Sequence, residues 1–156
     1  FHKYYVNDKI IPDVSEYFDL CLFNTFRSYL PVDFYPCGYN VHSDDRGQFV
    51  ELVKSDNGGQ TSYSTTKPGI TRGNHYHIRK IERFMVIEGE AMMQLRRIGT
   101  DKVIEYKLTG DQPVFVDVPV WYTHNIKNTG DTSLLTVFWI NELFNHSDPD
   151  TYYEQV

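Results

Sequence analysis

Apolar residues follow two different rules along the chain. Between residues 13 and 30, in DVSEYFDLCLFNTFRSYL, the residues Val14, Phe18, Cys21, Leu22, Phe26, Tyr29 and Leu30 recur at spacings of three and four, which predicts a helix with one buried face. Asp13 and Glu16 resemble a capping box at its start, and Pro31 supplies the stop. Because this helix precedes every other informative segment, it is expected either to pack outside the following domain or to belong to a preceding one. After residue 45 the helical period disappears. Short β-prone runs replace it at about 48–54, 60–66, 71–77, 82–88, 90–97, 102–108, 113–117, 120–127 and 133–140, a spacing that predicts a sandwich or barrel. The breaks between runs have a mechanism: Asn57-Gly58-Gly59, Pro68-Gly69, Glu88-Gly89, Gly99-Thr100-Asp101, Thr109-Gly110-Asp111 and Thr129-Gly130-Asp131 tolerate positive φ or preset a turn. The last stretch, NHSDPDTYYEQV, reads as a polar surface tail.

Composition narrows this picture. A chain of 156 residues suits one domain with a substantial core, and its 12 Tyr and 10 Phe favour aromatic-rich β structure over disorder. The net charge of -6 argues against nucleic acid as a partner, so an anionic ligand would need a few local arginines and lysines. Cys21 and Cys37 have neither CxxC spacing nor the density of a disulfide scaffold; they read as two reduced thiols in a cytoplasmic protein, with a lone disulfide as the alternative. No apolar stretch approaches the length of a membrane span, and FHKYYVNDKI lacks the apolar segment of a signal peptide, so no membrane partner is expected. Phe1 in place of Met suggests a piece of a longer polypeptide.

The chemistry concentrates in TRGNHYHIRKIERFMVIEGE, residues 71–90. On a strand, His75 and His77 point to one face while Tyr76 points away. Glu82 opens the next run and shares a face with Phe84 and Val86, where an unpaired buried carboxylate would be costly and a cation is a natural partner. His124 lies on a later strand after Pro119. Together His75, His77, Glu82 and His124 form a three-nitrogen, one-oxygen set for one divalent transition metal: Zn, Fe(II), Mn, Ni or Co, with zinc the first choice. The competing reading of two histidines on a strand is that they are ordinary surface or hydrogen-bonded residues.

These residues resemble both cupin motifs: Gly69, His75, His77, Glu82 and Gly89 match the first, and Pro119, His124 and Asn128 the second, which departs at Trp121 where glycine is usual. The resemblance implies an all-β fold, a cupin jelly-roll (double-stranded β-helix) barrel preceded by an N-terminal helix. SDDRGQFVEL (43–52) and GITRGNHYH (69–77) also look like signatures of nucleotide-sugar 3,5-epimerases acting on 4-keto-6-deoxy sugars. Over residues 7–156 the chain is most similar to the C-terminal domain of the CapF family of capsular polysaccharide enzymes and its O-antigen relatives. That resemblance implies C3 epimerisation of a UDP-2-acetamido-2,6-dideoxy-4-hexulose in UDP-N-acetyl-L-fucosamine synthesis. It also implies a division into residues 1–42, the end of a missing reductase domain that would use NADPH on the C4 ketone, and 43–156, the cupin domain.

Such a reaction must stabilise an enolate oxygen and place a base and an acid on either side of the sugar ring. In the related epimerases the histidine matching His75 is the base, in an arrangement without metal; a His75 committed to a metal would have no lone pair to give. Lys80, Tyr63 and Tyr122 are the other base or acid candidates, by proximity in sequence. Arg46 and Arg72 match the signatures and would grip a diphosphate, and Phe49 and Glu51 would contact the nucleotide. Four protein ligands could also close the metal site and make it structural. A metal-dependent oxygenase and a noncatalytic module that stabilises a dimer or the attached reductase are the competing functions. A homodimer is the expected assembly.

Overall fold

The alternation after residue 45 is realised as strands in a computed structural model that describes residues 1–156. In chain order the strands are β1 (Ile10–Ile11), β2 (Val41–Asp44), β3 (Gly47–Ser55), β4 (Gly59–Thr66), β5 (Thr71–Tyr76) and β6 (Glu82–Glu88). They continue with β7 (Glu90–Arg97), β8 (Val103–Thr109), β9 (Phe115–Val118), β10 (Tyr122–Asn128), β11 (Leu134–Ile140) and β12 (Tyr152–Tyr153). One sheet of seven strands runs β1-β3-β4-β11-β6-β9, with β2 also on β3; the other, of five, runs β12-β5-β10-β7-β8. All pairings are antiparallel except β1 with β3. The inner faces close over a core that includes Phe84 and Val86 from one sheet and Met93, Leu95 and Ile126 from the other, as a double-sheet jelly roll requires.

All nine strands expected from alternation are present, with ends moved by a few residues. The turn glycines are sterically required at particular places. Gly59 has φ +75°, and a Cβ there would lie 2.0 Å from the Ile140 carbonyl oxygen. Strands β1, β2 and β12 were not expected, since two are only two residues long and every residue of β2 is exposed, leaving no alternation to read.

Two expectations are corrected. The helix, α1 (Tyr17–Ser28), forms but buries only Phe23, which lies outside the predicted stripe; Phe18 and Tyr29 are 72% and 84% exposed. Phe23 packs against Phe1 and Tyr5, at ring-centroid distances of 5.3 and 5.1 Å, so the helix faces the segment before it. No side chain caps its start: the Asp13 carboxylate accepts from Ser15 N and Asn57 Nδ2 instead, tying the segment to the β3–β4 turn.

The polar C-terminal stretch is likewise no loose tail. Asp150 is buried and β12 pairs with β5, because residues 141–154 supply acceptors and a strand edge that the barrel's site end lacks. No helix is long and apolar enough to cross a membrane, and Cys21 and Cys37 are both free thiols.

Candidate metal centre

Strand geometry delivers the four candidate ligands to one end of the barrel. His75 lies on β5 and His77 just beyond it, while Tyr76 between them turns outward onto Trp121 and Tyr152. His124 on β10 stands directly across from His75 in the ladder. Glu82 opens β6 and enters from the opposite sheet. Their ligand atoms all lie within 4.8 Å of one another. Gly73 makes the approach possible: with φ +106°, it sits where a Cβ would meet the His124 carbonyl oxygen at 2.7 Å, beside the bulge that shifts the register between His124 and Asn125. Trp121 keeps the turn that glycine usually makes in the second cupin motif, adopting φ +67° itself. Asn128, the last residue of that motif, is a structural bracket whose amide bonds Thr66 O, Thr132 O and Gly130 N.

The electrostatics call for a cation. Glu82 Oε2 lies 3.2 Å from His77 Nε2 and 3.0 Å from His124 Nε2. His77 Nδ1 donates to the Asp150 carbonyl at 2.5 Å, which leaves Nε2 of the neutral ring as a lone pair facing a carboxylate. Two acceptors in that position need a proton or a metal ion between them. Burial disfavours a charged His77, but the Glu82 carboxylate and the Asp150 carbonyl outweigh it and raise its pKa. Burial likewise works to raise Glu82, yet the imidazoles of His124 and His77 hold it well below the usual carboxylate range. Burial, followed by the neighbouring His124, pushes His75 down to about 4, so its ring is neutral. His124 is fully buried, yet neither ring nitrogen has a hydrogen-bond partner; its approach to Glu82 lacks hydrogen-bond alignment. Three converging imidazoles, that of His124 without a partner, joined by an ionised carboxylate, fit a divalent transition metal, and these residues could hold one.

Above the cluster opens a cleft of about 250 Å³, lined by Phe49, Phe84, Ile126 and Phe138, with Ser64, Arg46 and Arg72 among its polar walls. Arg72 is mostly buried, donating from Nε to Thr66 Oγ1 and from Nη2 to the Thr65 carbonyl, both at 3.1 Å. Arg46 is held by Asp44 through Nε at 2.9 Å and Nη2 at 2.5 Å, and Asp44 is also 3.8 Å from Arg72. Desolvation and then the neighbouring Arg46 both lower the Arg72 pKa, so an anion placed between the two guanidiniums would relieve them.

Of the residues singled out in the sequence, Arg46, Phe49, Arg72, His75, Glu82 and His124 meet at this cleft, with His77 behind them. Four others lie elsewhere. Tyr63 falls on the outward-facing register of β4, between inward Ser62 and Ser64. Tyr122 packs against the apolar core. Lys80 turns away, its Nζ donating to the Pro149 carbonyl, and Glu51 accepts from Gln60 and lies 3.4 Å from Lys54. Sequence reasoning missed Asp44 and Asp150. Asp44 stood inside the quoted signature, whereas Asp150, in a polar stretch without period, gave no signal.

The chain is similar to known proteins in sequence and fold. A family model described as "Polysaccharide biosynthesis C-terminal domain" matches residues 42–152. The Pseudomonas aeruginosa protein named UDP-2-acetamido-2,6-beta-L-arabino-hexul-4-ose reductase is 40% identical over 131 residues, 84% of this chain and 35% of that protein. The probable low-salt glycan biosynthesis epimerase Agl13 of Haloferax volcanii is 26% identical over 124 residues, covering 70% of this chain and 78% of its own length. Among solved structures, the capsular polysaccharide assembling protein CapF from Staphylococcus aureus superposes with a TM-score of 0.87 at 42% identity, over 96% of this chain and 40% of that one. The Drosophila melanogaster CENP-C cupin domain shares the fold alone, with a TM-score of 0.52 at 13% identity over 65% of this chain and 70% of its own. The chain thus spans well under half the length of its Pseudomonas and Staphylococcus relatives. A cupin barrel matched by that family model over most of its length, this chain belongs to the polysaccharide biosynthesis C-terminal domain family.

Proposed function

We propose that this cupin epimerises C3 of a UDP-2-acetamido-2,6-dideoxy-4-hexulose on the way to UDP-N-acetyl-L-fucosamine, for capsular polysaccharide or O-antigen. In the same reading residues 1–42 are the end of a reductase domain that uses NADPH at C4, and the protein works as a cytoplasmic homodimer. The observation that carries the proposal is the cleft itself, which has two arginines at its mouth and the histidine–glutamate cluster at its floor. The names borne by relatives support it from a separate side: one is a reductase of a UDP-linked 4-hexulose, another a glycan epimerase.

Arg72, preset by Thr65 and Thr66, and Arg46, preset by Asp44, would grip the diphosphate through paired N–H donors. The aromatic walls from Phe49, Phe84 and Phe138 would exclude water from the sugar ring. A metal held by His75, His77, Glu82 and His124, zinc by preference, would supply Lewis-acid polarisation of the C4 ketone. Among the four base or acid candidates only His75 lines the cleft, and where it is not spent on the metal its neutral imidazole would offer the lone pair that removal of the C3 proton requires.

Incubating the protein with the UDP-4-keto sugar in deuterium oxide should place deuterium at C3. Absence of exchange, or consumption of oxygen in its place, sinks the epimerase. Repeating the incubation on metal-stripped, folded protein separates the two roles of His75: exchange that persists gives it the proton, and exchange that stops gives it to the metal.

A further inference from the structure

Only four residues, Ile78 to Lys80 and Ile81, connect His77 to Glu82, and every backbone N–H among them is bonded to the C-terminal segment. The Asp150 carboxylate accepts from Ile78 N at 3.2 Å on Oδ1, and from Arg79 N at 3.0 Å and Lys80 N at 2.9 Å on Oδ2. Ile81 N donates to Asn141 Oδ1 at 2.8 Å. Side chains reinforce the same junction, with Arg79 bridging Glu142 and Asp148 and Lys80 Nζ on the Pro149 carbonyl. Asp150 is itself 1% exposed and has φ +42°, a left-handed conformation that Asp tolerates better than most residues. That conformation turns its carbonyl onto His77 Nδ1 while its carboxylate faces the three amides.

We propose that Asp150 is a positioning residue for the His77–Glu82 half of the cluster. Its carboxylate gathers the connecting loop, and its carbonyl fixes the orientation and tautomer of the His77 ring. Three successive N–H groups around one carboxylate form a nest, and a carboxylate needs no reorganisation to fill it. The carbonyl bond keeps the proton of His77 on Nδ1, so that Nε2 is the nitrogen turned toward Glu82 and the shared ligand point. A C-terminal residue thereby sets the chemistry of a strand seventy residues earlier.

The inference rests on the metal reading only for its effect on affinity, so two measurements are needed. The first is imidazole nitrogen NMR on the metal-free protein at a pH where His77 is neutral: His77 should be the Nδ1–H tautomer with slowly exchanging amides at Ile78, Arg79 and Lys80, and Asp150→Asn, by loosening the carboxylate grip that aligns the carbonyl, should mix the tautomers. The second is competition of zinc and cobalt(II) against a chelator, where loss of such an outer partner should weaken binding by roughly 10–100-fold and alter the cobalt absorption bands. An unchanged tautomer and unchanged affinity in Asp150→Asn would overturn the proposal. If the wild-type protein binds neither metal, the metal reading fails while the tautomer result still decides the role of Asp150. Should Asp150→Asn not fold, fast exchange of those three amides in the wild type would overturn it as well.

Discussion

Strand β7 and helix α1 carry the same kind of message in sequence, an apolar face written at the period of the element, and they meet opposite fates. In β7 the inward residues Ala91, Met93 and Leu95 are at most 3% exposed. In α1 one residue, Phe23, is buried, while Phe18, Leu22 and Tyr29 remain in solvent. The difference is in the surroundings. A strand in a closed barrel has a second sheet opposite it, so its inner face is covered as soon as the ladder forms. The helix has only the rings of Phe1 and Tyr5 on one side. Periodicity thus states which face would be buried, and the presence of a partner decides whether it is.

The widest test of that contrast is Met93→Ala, which should cost about 2–5 kcal/mol as a cavity in a packed core, read by denaturant titration. Next comes the polar end of the same barrel. A metal at a hundred times its Kd should add about 2.7 kcal/mol, so chelation should lower the thermal midpoint, and His124→Ala should abolish both the shift and about one metal per chain. Full metal retention by His124→Ala would refute the four-ligand assignment. Asn128→Ala should cost about 1–3 kcal/mol by orphaning the groups it brackets, without changing metal content. At the other extreme, Phe18→Ser and Tyr29→Ser should change stability by no more than about 0.5 kcal/mol. A larger loss at either helix position would mean that in solution this face is covered after all.

The polar end of the barrel shows how far motif reasoning reaches. His75, His77 and Glu82 were legible because they sit close in sequence on strands whose directions follow from a period of two. His124 was legible through its resemblance to the second cupin motif. Arg46 and Arg72 came from signatures and do line the cleft. Lys80 and Tyr63 were selected by nearness in sequence, and for Tyr63 nearness fails because it lies on a strand, where the adjacent residue faces the other way. Lys80 fails because the loop that carries it is captured by Asp150 and Pro149.

By itself, then, the sequence determined what local rules govern: nine strands, the shared faces of His75 with His77 and of Glu82 with Phe84 and Val86, the turns that separate the strands, the helix, and the donor set of the candidate metal centre. Only the tertiary structure decided which apolar face is covered, which arginine is preset by Thr65 and Thr66, and that Asp150 orients His77. The physical reason is range. Strand direction and turn chemistry are set by residues a few positions apart, whereas burial and hydrogen-bond partners depend on chain segments brought together from seventy residues away.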